Sequence, residues 1–247
     1  MSKIKNAFAN GKAFVAFVTC GDPDLETTEA IVKSMADNGA DLIELGIPFS
    51  DPTAEGPVIQ GASLRALNSG TTTDKIFEMV ARLRIYTDIP MVFMTYANVI
   101  FSYGAERFME KASKLGIDGL ILPDIPFEEK EEFDAICDKY GLDLISMIAK
   151  QAKGFIYLVS SLGVTGMRSN ITTDIGSMVK IIKETTDVPV AVGFGISTPE
   201  QARAMYAVAD GAIVGSAIVK IVEKFGKEAA GPVGEYVKSM KAAARGL

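Results

Sequence analysis

The sequence predicts an eight-stranded parallel β/α (TIM) barrel that forms a single domain over residues 1–247. Short runs of apolar and β-branched residues alternate with longer segments of helical periodicity, and each run tends to end in Gly, Pro, Asp or Ser. Strands that are nearly continuous in apolar residues are typical of a parallel sheet covered by helices. Eight such strands in 247 residues favour a closed barrel over an open sheet.

The predicted strands and helices follow one another along the chain with no linker between them. The strands are Ala13 to Thr19, Asp41 to Leu45, Met91 to Thr95, Gly119 to Leu122, Asp143 to Ile148, Phe155 to Ser160, Val188 to Val192 and Gly211 to Val214. Helical periodicity predicts helices at Leu25 to Asn38, Thr73 to Tyr86, Ala105 to Leu115, Glu128 to Tyr140, Thr173 to Thr185, Pro199 to Tyr206 and Ala217 to Lys224, with a further helix near the C-terminus.

The connection between the fifth and sixth predicted strands is too short for this fold. Only Lys150 to Gly154 separate them, whereas consecutive parallel strands need a crossover of roughly a dozen residues or more. Two explanations remain open: a loop-and-helix crossover is missing from the printed sequence, which we favour, or the chain carries a genuine deletion that disturbs the barrel.

Composition excludes several classes of function. Twenty-five basic and 31 acidic residues give a net charge of −6 without a basic cluster, so we expect no nucleic-acid partner. The chain has no histidine, which leaves proton transfer to carboxylates, Tyr, Lys or Cys. The widely separated Cys20 and Cys137 indicate reduced, buried thiols. Without a signal-peptide core or a membrane-length apolar run, the sequence predicts a soluble cytoplasmic protein with no membrane association.

Three glycine-containing segments follow the last three predicted strands. They read "GVTG" from Gly163, "GFGIS" from Gly193 and "GSAIVK" from Gly215. Glycine lets the backbone approach an anion closely, and Gly215-Ser216 opens a helix whose free N–H groups suit a phosphate. Glycines in such turns are usually structural, so each segment alone is a weak signal. Together they predict a phosphate site beyond strands 7 and 8.

The stretch "ELGIPFSDPTAEGPVIQ" from Glu44 to Gln60 indicates an acid/base site. Strand pleating puts Leu42 and Glu44 on one face, and a carboxylate facing the barrel mouth among apolar side chains has a raised pKa that suits a general acid. The alternative is a strand-end glutamate that pairs with a lysine or with water. Three prolines stiffen the following loop, which carries Asp51 and Glu55; exposed acids commonly serve only solubility.

Seven motifs, in this order, resemble the α subunit of tryptophan synthase over essentially the whole chain: "FVTCGDPD", "DLIELGIPFSDPTAEGPVIQ", "MTYAN", "LPDIP", "YLVSSLGVTG", "VGFGIS" and "GSAIVK". The resemblance implies retro-aldol cleavage of indole-3-glycerol phosphate to indole and glyceraldehyde 3-phosphate, without a cofactor of this chain's own. It also implies an α2β2 heterotetramer with a β subunit. That subunit carries pyridoxal phosphate, receives indole through a tunnel and docks on the face that includes the strand-2 loop.

The resemblance also implies roles for individual residues. Glu44 matches the catalytic glutamate that protonates indole C3, and Glu55 stands where the family has the aspartate that contacts the indole N–H. Substrate-binding positions match Phe17, Met94, Tyr96, Ile121, Ile148, Tyr157, Thr165 and Ile213, while phosphate-binding positions match Gly166, Phe194, Gly195, Gly215 and Ser216. Ordinary core packing is the alternative for the apolar positions.

Glu55 departs from the family pattern because its side chain is one methylene longer than aspartate. The carboxylate could overshoot the indole N–H by more than ~1 Å, an error that costs on the order of 100-fold in rate, so Glu55→Asp is expected to raise activity. One alternative is therefore a catalytically weak subunit that responds to ligand and activates the β subunit. Another phosphate-binding barrel, such as an isomerase or epimerase, is disfavoured because those reactions usually use His, Lys or metal groups that we do not find at strand ends.

Overall fold

The structure is a computed structural model that describes residues 3–146, 152–159, 174–193 and 195–245. Within these ranges, no helix is both long enough and apolar enough to cross a membrane. Cys20 and Cys137 are buried free thiols, and burial raises the pKa of both. They therefore pack as small apolar side chains.

Eight parallel strands form one sheet, in the order β5-β4-β3-β2-β1-β8-β7-β6. This arrangement confirms the predicted barrel, and the strand bounds differ from the predicted ones by at most a few residues. The strands are β1 (Ala13–Thr19), β2 (Leu42–Gly46), β3 (Met91–Met94), β4 (Gly119–Ile121), β5 (Asp143–Ile145), β6 (Ile156–Val159), β7 (Val190–Gly193) and β8 (Gly211–Val214).

Helices fill the connections around the sheet. Several begin at side-chain caps: Asp24 accepts a hydrogen bond from the backbone N–H of Thr27, and Thr198 forms a capping box with Gln201. The described helices are α1 (Ile4–Ala9), α2 (Leu25–Asp37), α3 (Pro57–Asn68), α4 (Thr73–Tyr86), α5 (Ala97–Tyr103), α6 (Ala105–Lys114), α7 (Lys130–Tyr140), α8 (Ile175–Lys183), α9 (Pro199–Val208), α10 (Ser216–Phe225) and α11 (Ala230–Ala242).

Helices α1, α3 and α5 are absent from the sequence-based prediction. Helices α1 and α5 have only six and seven residues, which is too short for a clear periodicity. Helix α3 begins inside the stretch from Glu44 to Gln60 and continues beyond it. Pro57 in its first turn is a recognisable start signal. The interior Gly61 weakens that signal, because glycine is a poor helix former.

Alternation along the strands separates the inside of the barrel from its outside. Val15, Leu42, Val92 and Ile121 pack in an interior cluster, whereas Phe14 and its alternate neighbours pack in the larger cluster under the helices. Ile4 and Ala7 of α1 belong to the interior cluster and fill the N-terminal end of the barrel. Polar side chains on the interior face are therefore expected only towards the C-terminal ends of the strands.

Among the described residues, β5 and β6 are joined by one isolated parallel bridge, from Ser146 to Ile156. The backbone N–H of Tyr157 donates to the carbonyl of Ser146 at 3.1 Å. No helix is described between these two strands, although residues 147–151 lie outside the described ranges. The short connection falls partly outside the described residues, so both explanations for it stay predictions. Among the described residues, regular strand pairing continues through the sheet everywhere except at this seam.

Candidate active site

Glu44 is a buried acid on the inner face of the barrel. It lies between Phe17 of β1 and Val92 of β3 in the strand register, and it shares the inward face of β2 with Leu42. The residue is 1% exposed, and neither carboxyl oxygen has a hydrogen-bond partner among the residues that the structure describes. Burial raises the pKa of Glu44 to about 8. A carboxyl group that is largely neutral at pH 7 can act as a proton donor.

Tyr157 of β6 lies close enough to Glu44 to respond to its charge. Burial, and then the negative charge of Glu44, raises the pKa of Tyr157 well above its ordinary value. The ring also packs against β7, since a Cβ built on Gly193 would lie 2.7 Å from Tyr157 Cε1. Tyr157 therefore stays neutral and adds to the low polarity around Glu44.

Glu55 lies in the loop between β2 and α3 and is held by three hydrogen bonds. The Tyr96 hydroxyl donates to Oε2 of Glu55, and the same hydroxyl accepts from the backbone N–H of Ala54 at 2.9 Å. The side chain of Gln60 donates to the backbone carbonyl of Glu55 at 2.8 Å. Tyr96 is only 3% exposed, and its ring centroid lies 5.0 Å from that of Phe49. The carboxylate is thus fixed to the end of β3.

Opposing effects set the protonation of Glu55. Burial raises its pKa, the hydrogen bond from Tyr96 lowers it, and the nearby Asp124 carboxylate raises it, with a net increase. Asp124 itself accepts hydrogen bonds from the backbone N–H of Ala97 at the start of α5. Unlike Glu44, Glu55 has a donor that stabilises its ionised form.

Apolar side chains line the barrel interior beside Glu44. Met94 and Ile121 are register neighbours on β3 and β4, and Ile213 of β8 is the register neighbour of Val15. Met94 packs against the interior cluster and also against a smaller cluster of Phe17, Ile59, Ala62 and Val219. This arrangement places a low-polarity surface beside the inner carboxyl group.

Two glycine positions lie beyond β7 and β8, which are adjacent strands. Gly195 has a left-handed φ of 77°, which favours glycine. Gly215 caps α10 without any side-chain hydrogen bond, and Ser216 is the first residue of that helix. The first N–H groups of α10 therefore receive no side-chain cap, and they suit an anion.

Four of the predicted site residues lie outside the described ranges. They are Ile148 and Thr165, which the resemblance assigns to the substrate pocket, and Gly166 and Phe194, which it assigns to the phosphate. The remaining predicted residues lie on β1 to β4, β6 and β8, on the loops that follow β2, β3, β7 and β8, or, for Ser216, at the start of α10.

The family model described as the tryptophan synthase alpha chain matches residues 3–245. The chain belongs to the tryptophan synthase alpha chain family. The alpha chain of Lacticaseibacillus casei is 44% identical, over 98% of this chain and 96% of the relative. That alignment spans 254 positions although this chain has 247 residues, so the relative contains residues without a counterpart here.

Solved structures of alpha chain family members share the fold. The alpha subunit of Legionella pneumophila strain Paris is 33% identical with a TM-score of 0.90, and the match covers 100% of both chains. A chain from the tryptophan synthase α2β2 complex of Pyrococcus furiosus is 33% identical with a TM-score of 0.87, covering 94% of this chain and 98% of that chain. Both likenesses extend over the complete barrel.

The sequence alone did not predict three interactions at the site of this alpha chain family member. Tyr96 was expected to line the substrate pocket, but the structure also bonds its hydroxyl to Glu55. Phe49, which packs on the ring of Tyr96, and Asp124, which raises the pKa of Glu55, were given no role. A signal was available for Phe49, because an aromatic residue in a proline-rich polar loop commonly has a packing partner.

Proposed function

We propose that this protein is a tryptophan synthase α subunit that cleaves indole-3-glycerol phosphate to indole and glyceraldehyde 3-phosphate. The observation that carries the proposal is Glu44, a carboxyl group on the inner face of the barrel that is 1% exposed. It has no hydrogen-bond partner in the described part of the chain, and burial raises its pKa to about 8. Family membership over residues 3–245 supports the same reaction.

The proposed reaction begins with proton transfer from neutral Glu44 to C3 of the indole ring. The resulting indolenine carries positive charge at its nitrogen, and the ionised carboxylate of Glu55 stabilises that charge through the N–H. The C3–C3′ bond then breaks, its electron pair restores the aromatic ring, and C3′ becomes the aldehyde carbon. Glu44, now ionised, accepts the hydroxyl proton of C3′. Two carboxyl groups in opposite protonation states are sufficient for these steps.

The remaining site residues are proposed to bind the two ends of the substrate. Phe17, Met94, Tyr96, Ile121, Tyr157 and Ile213, together with Ile148 and Thr165, form the indole end. Their low polarity supports this role, since most are buried side chains of the barrel interior. Gly195, Gly215 and Ser216, together with Gly166 and Phe194, bind the phosphate. The uncapped start of α10 supports this second assignment.

The proposed partner is a tryptophan synthase β subunit in an α2β2 heterotetramer, as in the complex of Pyrococcus furiosus. Pyridoxal phosphate is expected only on that partner, and this chain is proposed to need no cofactor. The proposed compartment is the cytoplasm, which the two free, buried cysteines support. A catalytically weak activator of the β subunit is not favoured, because the chain is 44% identical to an alpha chain over 98% of its length.

Indole release from indole-3-glycerol phosphate, measured with and without a purified β subunit, tests this function. We expect release by the chain alone and faster release in the complex. The Glu44→Gln protein is the matched control, because the substitution keeps the shape of the side chain and removes the acid. Activation of the β subunit without indole release would contradict the proposal and favour the activator.

A further inference from the structure

Arg65 joins three elements at the mouth of the barrel and lies outside the proposed reacting groups. Its Nε and Nη2 donate to the two carboxylate oxygens of Asp22, each at 2.8 Å. Its Nη1 donates to Oε1 of Glu223 at 3.2 Å. Asp22 lies in the loop after β1, Arg65 in α3 and Glu223 in α10.

The Asp22–Arg65 pair is the rigid part of this arrangement. Asp22 is 1% exposed, and a buried carboxylate is tolerated only with strong, well-aligned partners. The planar guanidinium supplies two parallel donors to one carboxylate, a geometry that lysine cannot reproduce. The Glu223 side chain is 57% exposed, so water screens that contact and it contributes little.

Helix α3 connects the Asp22–Arg65 pair to Glu55. The helix begins at Pro57, two residues after Glu55, and Gln60 in its first turn donates to the backbone carbonyl of Glu55. Any shift of α3 relative to β1 therefore moves the backbone that carries the second carboxyl group.

Apolar packing fixes α3 at a second point, nearer to its start. Ile59 and Ala62 pack with Val219 of α10 against Phe17, the inward neighbour of Glu44 on β1. Arg65 lies further along the same helix. Two contacts spaced along one helix set its direction as well as its distance from the strand.

We propose that Arg65 is a positioning residue that, through its paired hydrogen bonds to Asp22, holds α3 and thereby Glu55 in register with the inner face of the barrel. The inference rests on the proposed function, because it assigns Glu55 a part in cleavage. Arg65 does not touch the reacting atoms. Its effect is on where the second carboxyl group lies when the substrate is bound.

Kinetics of two conservative variants test the role. Asp22→Asn keeps the size of the side chain but removes its charge, and Arg65→Lys keeps the charge but removes the paired geometry. A misplacement near 1 Å costs about 100-fold in rate, so we expect kcat to fall about 10- to 100-fold in both. KM should change less than about threefold, since the phosphate contacts are unaltered. Glu223→Gln should change both constants less than about twofold.

Arg82→Lys is the matched control. Arg82 donates to Glu29 at 2.7 Å between α4 and α2, so the same exchange removes an arginine–carboxylate contact away from the mouth. Its kcat and KM should equal those of the unaltered protein. All rates are taken well below the melting temperature of each variant, which separates positioning from loss of folded protein. If either Asp22→Asn or Arg65→Lys fails to fold, the kinetics of the other variant test the positioning role.

Hydrogen exchange gives a readout that does not depend on cleavage. The N–H of Ala54 is protected by the Tyr96 hydroxyl, and we expect a peptide spanning residues 47–60 to exchange faster in Asp22→Asn and Arg65→Lys but not in Arg82→Lys. If the unaltered protein releases no indole, the proposed function fails and the exchange result alone decides the positioning role. Unchanged kcat in both variants with only a lower melting temperature would overturn the inference, as would unchanged exchange.

Discussion

The hydroxyl of Tyr96 makes two hydrogen bonds to the loop that carries Glu55: it donates to the side-chain Oε2 of Glu55 and accepts from the N–H of the preceding residue, Ala54. One oxygen atom thus fixes both the carboxylate and the backbone of its loop. The glutamate at this position therefore has a defined partner. The side chain of Glu55 is one methylene longer than aspartate, and this length lets its carboxylate reach Tyr96 beyond the end of β3.

Replacing Tyr96 with phenylalanine should reduce kcat about tenfold. The change removes the donor that stabilises ionised Glu55 and releases the loop, while the ring and its packing on Phe49 remain. Steady-state cleavage kinetics measure the effect. A double variant with Glu55→Gln should lose little beyond Glu55→Gln alone, because both changes remove the same contact. Additive losses would indicate that Tyr96 acts independently of Glu55.

Shortening Glu55 to aspartate should lower the rate, which reverses the expectation from sequence alone. The shorter side chain withdraws the carboxylate by more than ~1 Å from the Tyr96 hydroxyl, and a loss of about tenfold or more follows from the misplacement. The measurement is kcat of Glu55→Asp against the unaltered protein. A higher rate would mean that the Tyr96 contact holds the carboxylate away from the indole N–H.

Glu44→Gln should abolish cleavage and leave phosphate binding unchanged, because glutamine keeps the size of the side chain but cannot donate a proton to carbon. Binding of glycerol 3-phosphate by calorimetry provides the control. In the unaltered protein, kcat/KM should fall as pH rises through about 8, where Glu44 loses its proton. A rate that is constant from pH 6 to pH 9 would remove Glu44 from the role of acid.

Glu44 should also make folding stability depend on pH. Its folded pKa of about 8 exceeds the ordinary value of 4.5, so the folded state binds the proton more tightly. The contribution is complete below about pH 4.5 and is lost as pH rises through about 8, a change on the order of 5 kcal/mol. Urea unfolding of the protein and of Glu44→Gln at several pH values measures it. We expect the variant to gain relative stability as pH rises; parallel curves would contradict the burial of this acid.

Gly46→Ala should weaken substrate binding. A Cβ at Gly46 would lie 2.6 Å from Phe17 Cζ, so the ring beside Glu44 must move. We expect KM to rise several-fold with a loss of ~1–3 kcal/mol in stability. Gly231→Ala on α11 is the control, since no atom outside its own helix backbone and chain neighbours lies within 4 Å of its added Cβ. The control should be neutral or slightly stabilising.

Much of the fold was predictable because the strands are short apolar runs with clear ends. The prediction for β1 and β8 matches at both ends. The pleat placed Leu42 and Glu44 on one face, and the structure shows that this face points into the barrel. The hydrogen bond from Tyr96 to Glu55 was not predictable, because it joins residues 41 positions apart. The Asp22–Arg65 pair, 43 positions apart, was missed for the same reason. Local periodicity carries no information on which loop and helix side chains meet.

The isolated bridge between β5 and β6 helps to exclude water from the interior of the barrel. Tyr157 supplies the N–H that reaches Ser146 across this seam, and its side chain lies close enough to Glu44 to respond to its charge. Opening the seam would admit water beside Glu44 and return its pKa towards that of an ordinary carboxylic acid. The proton donor would then be charged at neutral pH and unable to donate. The backbone hydrogen bond from Tyr157 to Ser146 thus keeps water away from the proposed catalytic acid, Glu44.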